Sequence, residues 1–129
     1  MAQRIPSVIL LNLTAHNIVV YPADGSNLIL YPRGEVVAKL KTRKQKYMTS
    51  LADGSPVFEP QKFVAISPRS PTLQPYHQGV IVSLPVAQWL AEKKFADWGA
   101  VYTADTGPQG AVYGEDGTII GTRRLNRYL

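Results

Sequence analysis

Cysteine is absent from this sequence, and its absence excludes several kinds of chemistry at once. Without a thiol there is no disulfide bond, no thiolate-bound metal and no cysteine nucleophile, and the composition suits a reducing compartment. Long apolar runs are missing too. The longest, Val8 to Leu11, falls far short of the roughly 20 residues that cross a bilayer, and residues 1–6 lack the apolar core of a signal peptide. We therefore expect a soluble protein of the cytoplasm.

Histidine is scarce. His16 and His77 lie far apart, and neither has a second ligand at a metal-binding spacing, so a hydrogen bond in a turn explains each of them better than a metal does. Residues 114–117 lack the alternating acidic positions of a calcium loop, and Ser67 and Ser83 stand outside the nucleophile motif of serine hydrolases. The glycine motifs that bind phosphates or dinucleotides are missing as well. We therefore predict no metal, no cofactor and no enzymatic activity.

The length of 129 residues and the apolar fraction of 45% fit one folded domain, which we assign to residues 1–129. The formal net charge of +5 favours anionic partners such as phosphates or nucleic acid, although a modest positive charge also serves solubility. Composition leaves both interpretations open, so the positions of the charges have to decide between them.

Short apolar stretches separated by turn residues dominate the chain and predict β-strands. The turn signals of residues 1–40 favour an antiparallel meander. The predicted strands span residues 7–14, 17–21, 28–31, 35–41, 63–66, 79–84, 100–103, 111–113 and 118–123. Residues 42–60 are expected to form an exposed loop or a long hairpin tip, and the prolines of residues 67–75 predict an irregular crossing.

One segment, residues 85–94, has the periodicity of a helix. Pro85 suits a first helical turn, and Val86, Trp89 and Leu90 share one face at i, i+3 and i+4 spacing. Together these patterns predict an α+β fold, a β-dominated domain with antiparallel sheets and one principal helix packed on them.

The C-terminal segment, Val101 to Leu129, combines turn residues with charge and contains an Asp-Thr-Gly motif that begins at Asp105. Retroviral aspartic proteases place their catalytic aspartate in such a loop, where two carboxylates must share a proton. In this chain only about a dozen residues separate the motif from Ile119-Ile120-Gly121, whereas that class of protease needs a whole additional sheet, and Pro108 follows the glycine. The spacing therefore argues against a protease.

Basic residues form two clusters. The first, Lys39 to Lys46, is explained either by a solvated surface or by contact with nucleic acid. The second lies near the C-terminus, where guanidinium groups suit forked hydrogen bonds to phosphate and nearby tyrosines offer stacking surfaces for a base. Asp105 and Gln109 lie in a loop and suit a base edge or a ribose hydroxyl, although Asp105 serves equally well as a loop cap. The predicted ligand site consists of Tyr102, Asp105, Gln109, Tyr113, Arg123, Arg124 and Arg127.

Four segments resemble a family of small phage and prophage proteins. They are Asn12-Leu-Thr-Ala-His16, Val80-Ile-Val-Ser83, Asp105-Thr-Gly-Pro108 and Glu115-Asp-Gly-Thr-Ile-Ile-Gly-Thr-Arg123. Ala15 stands where the family has proline, and the segment Lys39 to Lys46 and the helix near Trp89 depart from its pattern. The chain is also similar to Thoeris anti-defence sponges, oligomeric phage proteins that sequester cyclic ADP-ribose-type or cyclic oligonucleotide immune signals without cleaving them. This resemblance implies that the C-terminal arginines hold the phosphates and that an aromatic residue, with Tyr113 as a candidate, stacks on the base.

The sequence leads to one functional hypothesis and two alternatives. We expect a phage-encoded, non-enzymatic anti-defence protein, a homo-oligomer that binds a nucleotide second messenger and has no membrane partner. The first alternative is a phage structural or partner-binding oligomer, built through apolar strands and tyrosines. The second is direct binding of nucleic acid through Lys39 to Lys46, which predicts an affinity that falls steeply with salt.

Overall fold

The computed structural model describes residues 9–69 and 71–129. The start of the strand predicted over residues 7–14 lies outside them. In chain order the strands of the described residues are β1 (Leu10–Asn12), β2 (Ile18–Val20), β3 (Ile29–Tyr31), β4 (Lys39–Thr42), β5 (Tyr47–Ser50), β6 (Pro56–Phe58), β7 (Phe63–Ser67), β8 (Gly79–Ile81), β9 (Ala100–Ala104), β10 (Ala111–Tyr113), β11 (Ile119–Thr122) and β12 (Leu125–Arg127). An α-helix, α1 (Leu84–Glu92), lies between β8 and β9 and is followed by a short 3-10 helix at Ala96–Trp98.

Three strands of the first sheet, β1, β8 and β9, run parallel, and β12 closes its far edge antiparallel to β9. Parallel neighbours cannot be joined by a tight turn, because the chain must first return to the other end of the sheet. Helix α1 makes that return between β8 and β9. Such strands are covered on both faces, and Val80, Ile81 and Val82 are accordingly at most 1% exposed.

A second four-stranded sheet has the order β10-β11-β2-β3. It joins two antiparallel hairpins, β2 with β3 and β10 with β11, and they meet where β11 runs parallel to β2 at Thr122 and Val20. Gly117 in the turn between β10 and β11 has a φ of +81°, a conformation that glycine adopts at little cost because it has no Cβ. The turn chemistry read from the sequence therefore sets this hairpin.

The first sheet is covered by α1 on one face and by the second sheet on the other. Successive side chains of a strand point to opposite faces, so neighbours in β8 enter different cores. Val80 packs in one buried cluster with Leu90 of the helix, and Ile81 packs in another with Val20 and Tyr31 of the second sheet. The strand β8 thus links the two halves of the core.

Helix α1 confirms the helix predicted from the sequence, with Pro85 in its first turn. Its buried face carries Leu90, which has no exposed surface. Trp98 follows the helix and is 1% exposed, with its indole N–H donating to the carbonyl oxygen of Arg69 at 3.2 Å. This tryptophan fixes the chain that returns from the helix to β9.

A long hairpin extends from the two sheets, and we call it the arm (residues 39–67). At its base β4 pairs with β7, and at its tip β5 pairs with β6, both antiparallel. Between them the backbone N–H of Arg43 donates to the carbonyl of Lys62 at 3.0 Å, and that of Glu59 donates to the carbonyl of Lys46 at 2.9 Å. Every residue from 41 to 56 is exposed. Residues 42–60 therefore form a hairpin tip, one of the two forms expected for them.

The predicted fold class is confirmed: the chain is α+β and strand-rich, with antiparallel and mixed sheets and one principal helix in the described residues. The meander predicted for residues 1–40 is wrong outside the β2–β3 hairpin, because β1 pairs with β8 and β4 pairs with β7. Strand β12 was not predicted, since its sequence Leu-Asn-Arg is short and polar. Within the described part of the chain, no helix has the length and apolar character needed to cross a membrane.

Candidate functional site

Two of the predicted site residues, Asp105 and Gln109, lie in the loop between β9 and β10, and a third, Arg124, contacts both of them from the link between β11 and β12. Asp105 accepts two hydrogen bonds there, from Arg124 Nε to its Oδ2 at 2.7 Å and from the backbone N–H of Gly107 to its Oδ1 at 2.9 Å. Arg124 Nη2 donates a further hydrogen bond to Gln109 Oε1 at 3.2 Å. Arg124 and this loop were predicted to contact a ligand together. In the structure the loop residues bind the Arg124 side chain instead.

The protonation state of Asp105 follows from these contacts. The hydrogen bond from the Arg124 side chain, followed by that from the Gly107 N–H, holds the pKa of Asp105 below its usual value of 3.8. The carboxylate is therefore charged at neutral pH. It folds the Asp-Thr-Gly segment into a turn in which its oxygen accepts the N–H two residues on.

Buried groups reinforce the same loop. The hydroxyl of Thr122 lies 2.7 Å from the carbonyl oxygens of both Asp105 and Arg124, and Thr122 is 1% exposed. Gly110 lies so close that a Cβ there would be 2.4 Å from Asp105 Cγ. The backbone N–H of Arg123 donates to the Gly110 carbonyl at 2.7 Å, so the loop and the end of β11 are fixed to each other.

The remaining predicted site residues do not join this network. Tyr102 and Arg127 are partners across β9 and β12 in the first sheet, and Arg127 Nε donates to the carbonyl of Leu129 at 3.2 Å. Tyr113 is exposed on β10, in the second sheet. Among the described residues, no hydrogen bond or ion pair of the side chains connects Arg123 or Tyr113 with the other candidates. Side-chain hydrogen bonds therefore join Asp105, Gln109 and Arg124, and the other four candidates lie outside this network.

The structure contains a groove that the sequence analysis missed. It opens at the carboxyl ends of β1, β8 and β9 and has a cavity volume of about 730 Å³. In sheets with parallel strands, this edge is where ligands commonly bind. The lining comes from segments that directly follow the three strands and from the base of the arm: Leu13, Thr14, His16, Val82, Ser83, Ala104, Thr106, Ala38, Lys39 and Leu40.

The groove offers positive potential to a ligand. It contains the N-terminus of α1, where the backbone N–H groups of Leu84 and Val86 lack helical partners and the helix dipole is positive, while Pro85 between them has no N–H. The N-cap residue, Ser83, makes no capping hydrogen bond with its side chain, and its hydroxyl has no hydrogen-bond partner among the described residues. Lys39 and His16 also line the groove, and none of its described lining residues is acidic. An anionic group is the ligand that this chemistry favours.

The segment Asn12 to His16 builds one wall of the groove. Asn12 is 2% exposed, and its Nδ2 donates to the carbonyls of His16 and Tyr31, each at 2.8 Å. Its Oδ1 accepts from the backbone N–H and the hydroxyl of Thr14, at 2.9 and 2.7 Å. All its hydrogen-bonding groups are used, so Asn12 shapes the turn that presents Thr14 and His16.

One local signal pointed towards the groove. Ser83 ends an apolar strand and precedes the helix that begins with Leu84-Pro85, a strand-to-helix junction of the kind that binds anions. Thr14 and Thr106 likewise follow strands. The parallel pairing that brings these three strand ends together was not predicted, because the turn signals favoured antiparallel neighbours.

Comparison of this chain with protein-family models, curated proteins and solved structures finds no match.

Proposed function

We propose that this protein binds a nucleotide in the groove and retains it without cleaving it. The observation that carries the proposal is the convergence of the α1 N-terminus, Lys39 and His16 on one groove that is large enough for a nucleotide and has no described acidic lining residue. The resemblance to anti-defence sponges makes an immune signal of the cyclic ADP-ribose or cyclic oligonucleotide type the first ligand to test. Such a role belongs in the cytoplasm of an infected cell.

The two parts of a nucleotide suit two parts of the groove. A phosphate accepts hydrogen bonds from the first turn of α1 and from Ser83, and Lys39 supplies a charge-assisted contact. The base or ribose then lies against an apolar wall that includes Ile18, Leu40 and Phe63. A cavity of about 200 Å³ shares His16 and Ile18 with the groove and gives room for a second nucleoside.

Arg124 has a different role in this proposal from the phosphate contact that the sequence favoured. Thr106 lines the groove, and its neighbour Asp105 is held by Arg124. Arg124 is therefore a positioning residue that fixes the groove wall. Arg123 is exposed, and its side chain makes no hydrogen bond or ion pair with a described residue, so it suits a ligand contact at the surface.

Retention without cleavage is consistent with the groups that line the groove. Hydrolysis of a phosphate ester needs a nucleophile activated by a base, or a metal ion that activates water. Among the described residues, no hydrogen bond joins Ser83 to His16, and no cluster of three or more metal-ligating side chains occurs. The groove therefore offers contacts that bind phosphate and no assembled pair that attacks it.

Isothermal titration calorimetry with a panel of cyclic nucleotides tests the proposal. Lys39→Gln should lower the affinity about tenfold, because a charge-assisted hydrogen bond to phosphate is lost. Lys41→Gln is the matched control, since Lys41 lies on the same strand and does not line the groove. Ligand that is released by heating the complex should be intact when it is analysed by chromatography. Absence of micromolar binding to every nucleotide, equal losses in the two variants or released fragments would each refute the proposal.

A second candidate function, a structural or partner-binding homo-oligomer, is favoured by β10. This strand is at the edge of the second sheet, so one of its sides has free backbone hydrogen-bonding groups. Tyr113 on β10 is 57% exposed and has Ile119 as its cross-strand partner, 48% exposed. Tyr113→Lys should shift the mass measured by light scattering to that of a monomer, whereas Tyr76→Lys, at a comparably exposed tyrosine, should not. A wild-type chain that is already monomeric at high concentration would refute this candidate.

A further inference from the structure

The arm carries most of the excess charge of the protein. Residues 39–67 contain six basic and two acidic side chains, so four of the five net positive charges lie in this hairpin. All six basic residues are exposed, which means that these charges do not serve the core. The tip strands β5 and β6 pair only with each other and belong to neither of the two large sheets, so both are open to solvent.

Four of the cations surround a single cavity between the base and the tip of the arm. The cavity has a volume of about 390 Å³ and is lined by Arg43, Lys44, Lys46 and Lys62, with Glu59 as its one carboxylate. None of the four cations forms an ion pair with a described residue. Backbone hydrogen bonds of Arg43 with Lys62 and of Glu59 with Lys46 hold the cavity open without using the charged groups. We call this cavity the basic pocket.

Aromatic side chains lie directly beside the basic pocket. Tyr47 follows Lys46 and Phe58 precedes Glu59, and the two rings are partners across β5 and β6. Their centroids are 5.7 Å apart with an interplanar angle of 73°, an edge-to-face arrangement that leaves ring faces open. Both side chains are about half exposed, at 52% and 48%. Aromatic faces next to cations are the pattern by which proteins bind unpaired bases and their phosphates.

We propose that the arm binds single-stranded nucleic acid, with backbone phosphates in the basic pocket and a base stacked on Tyr47 or Phe58. The negative charge at the tip favours nucleic acid over an anionic membrane. The tip turn contains Asp53, whose Oδ1 accepts the N–H of Ser55 at 2.8 Å, and this carboxylate would be the first charge to meet a lipid surface. The contact with nucleic acid runs along the side of the hairpin, where the cations lie, and leaves the tip in solvent.

Fluorescence anisotropy with a labelled oligothymidine of about 20 nucleotides tests this proposal. Log affinity falls as log salt rises, and each phosphate contact with a single strand adds roughly 0.7 to the steepness of this fall. Four cations therefore give a slope of about 3 in magnitude. Arg43→Gln/Lys62→Gln should reduce the slope by about 1.4 and the affinity by about tenfold or more near 0.1 M salt. Tyr47→Leu should weaken binding and leave the slope unchanged, because stacking releases no counterions.

The matched control is Lys93→Gln/Lys94→Gln, which removes the same charge from an exposed site beyond α1. The proposal is overturned if this control loses as much affinity as the arm variant, if the affinity does not depend on salt, or if vesicles of phosphatidylserine and phosphatidylcholine bind more tightly than the oligonucleotide. Nucleotide titrations of the arm variant should match those of the wild type, since Arg43 and Lys62 do not line the groove. Failure at the arm and failure at the groove are therefore separate results.

Discussion

Arg124 Nε donates to Asp105 Oδ2 at 2.7 Å, and the two side chains differ greatly in exposure, 53% for the arginine and 11% for the aspartate. Ion pairs between two exposed groups contribute little to stability, because solvent screens them. Here the aspartate is enclosed by its own loop and also accepts the N–H of Gly107. The pair therefore fixes the conformation of residues 104–110, one wall of the groove, more than it supplies free cationic charge for a ligand.

Replacing Asp105 should destabilise the protein in a pH-dependent way. The pKa of Asp105 is lowered, so the folded state binds its proton less readily than the unfolded state. Its contribution is complete at pH values above 3.8 and is lost as pH falls through the lower value of the folded state. We expect Asp105→Asn to lower the melting temperature at neutral pH, and the difference from wild type to shrink in acid. Asp97→Asn is the control, and a difference that grows on acidification would contradict this assignment.

Gly110 tests how closely the loop is packed. A Cβ at this position would lie 2.4 Å from both Asp105 Cγ and the Asp105 carbonyl oxygen. Gly110→Ala should therefore cost about 1–3 kcal/mol of unfolding free energy in urea denaturation, the usual cost of overpacking. Gly34→Ala is the matched control, because nothing lies within 4 Å of the added Cβ there. Equal stabilities of the two variants would show that the loop adjusts freely.

Asn12 and Asn17 offer a pair of identical substitutions with opposite expectations. The buried Asn12 donates through Nδ2 to two carbonyl oxygens, so Asn12→Asp replaces a donor by an acceptor and removes both hydrogen bonds. The Tyr31 carbonyl then loses its side-chain donor inside the core, whereas the His16 carbonyl keeps the Thr14 hydroxyl as a donor. Each unpaired buried group costs roughly 1–3 kcal/mol. Asn17 is exposed, and among the described residues its side chain makes one hydrogen bond, in which Oδ1 accepts the backbone N–H of Arg33 at 2.9 Å, so Asn17→Asp keeps this bond. Thermal unfolding should separate the two variants clearly, and similar melting temperatures would contradict the role of Asn12.

The packing of α1 against the first sheet can be tested with another pair of substitutions. Leu90 has no exposed surface and belongs to the core cluster between α1 and the first sheet. Leu90→Ala should lower the free energy of unfolding by about 2–5 kcal/mol, because a cavity remains where the side chain packed. Gln88→Ala, on the exposed face of the same helix, should change it by less than about 0.5 kcal/mol. A large loss at Gln88 would mean that a partner covers this face.

Much of the fold could be predicted because its signals are local. The helix near Pro85 and the hairpin around Gly117 each depend on residues within a single turn or two, and both appear where the sequence analysis placed them. Residues 42–60 were predicted to take one of two forms, an exposed loop or a hairpin tip, since Asp53-Gly54-Ser55 is a turn in either case. Strand partners were predicted less well. Leu10 and Leu11 are apolar whether the neighbour of β1 is β2 or β8, so the pattern does not reveal the pairing.

The candidate site was also predicted only in part. The sequence identified Asp105, Gln109 and Arg124 as neighbours, and the structure brings them together. It did not reveal that the Arg124 guanidinium is already hydrogen-bonded to Asp105, because that contact joins residues 19 positions apart. The groove was missed because its walls follow three strands whose parallel order comes from pairing across the whole chain.

By itself, the sequence determined the fold class, the helix, the turns and the surplus of positive charge. These properties follow from side-chain volume, backbone preferences and ionisation, and each residue brings them with it. Only the tertiary structure decided which strands are neighbours, which arginine is held by a carboxylate and where the charges meet an open surface. Those outcomes depend on the burial of both faces of β1, β8 and β9, a property that no single segment has before the others pack against it.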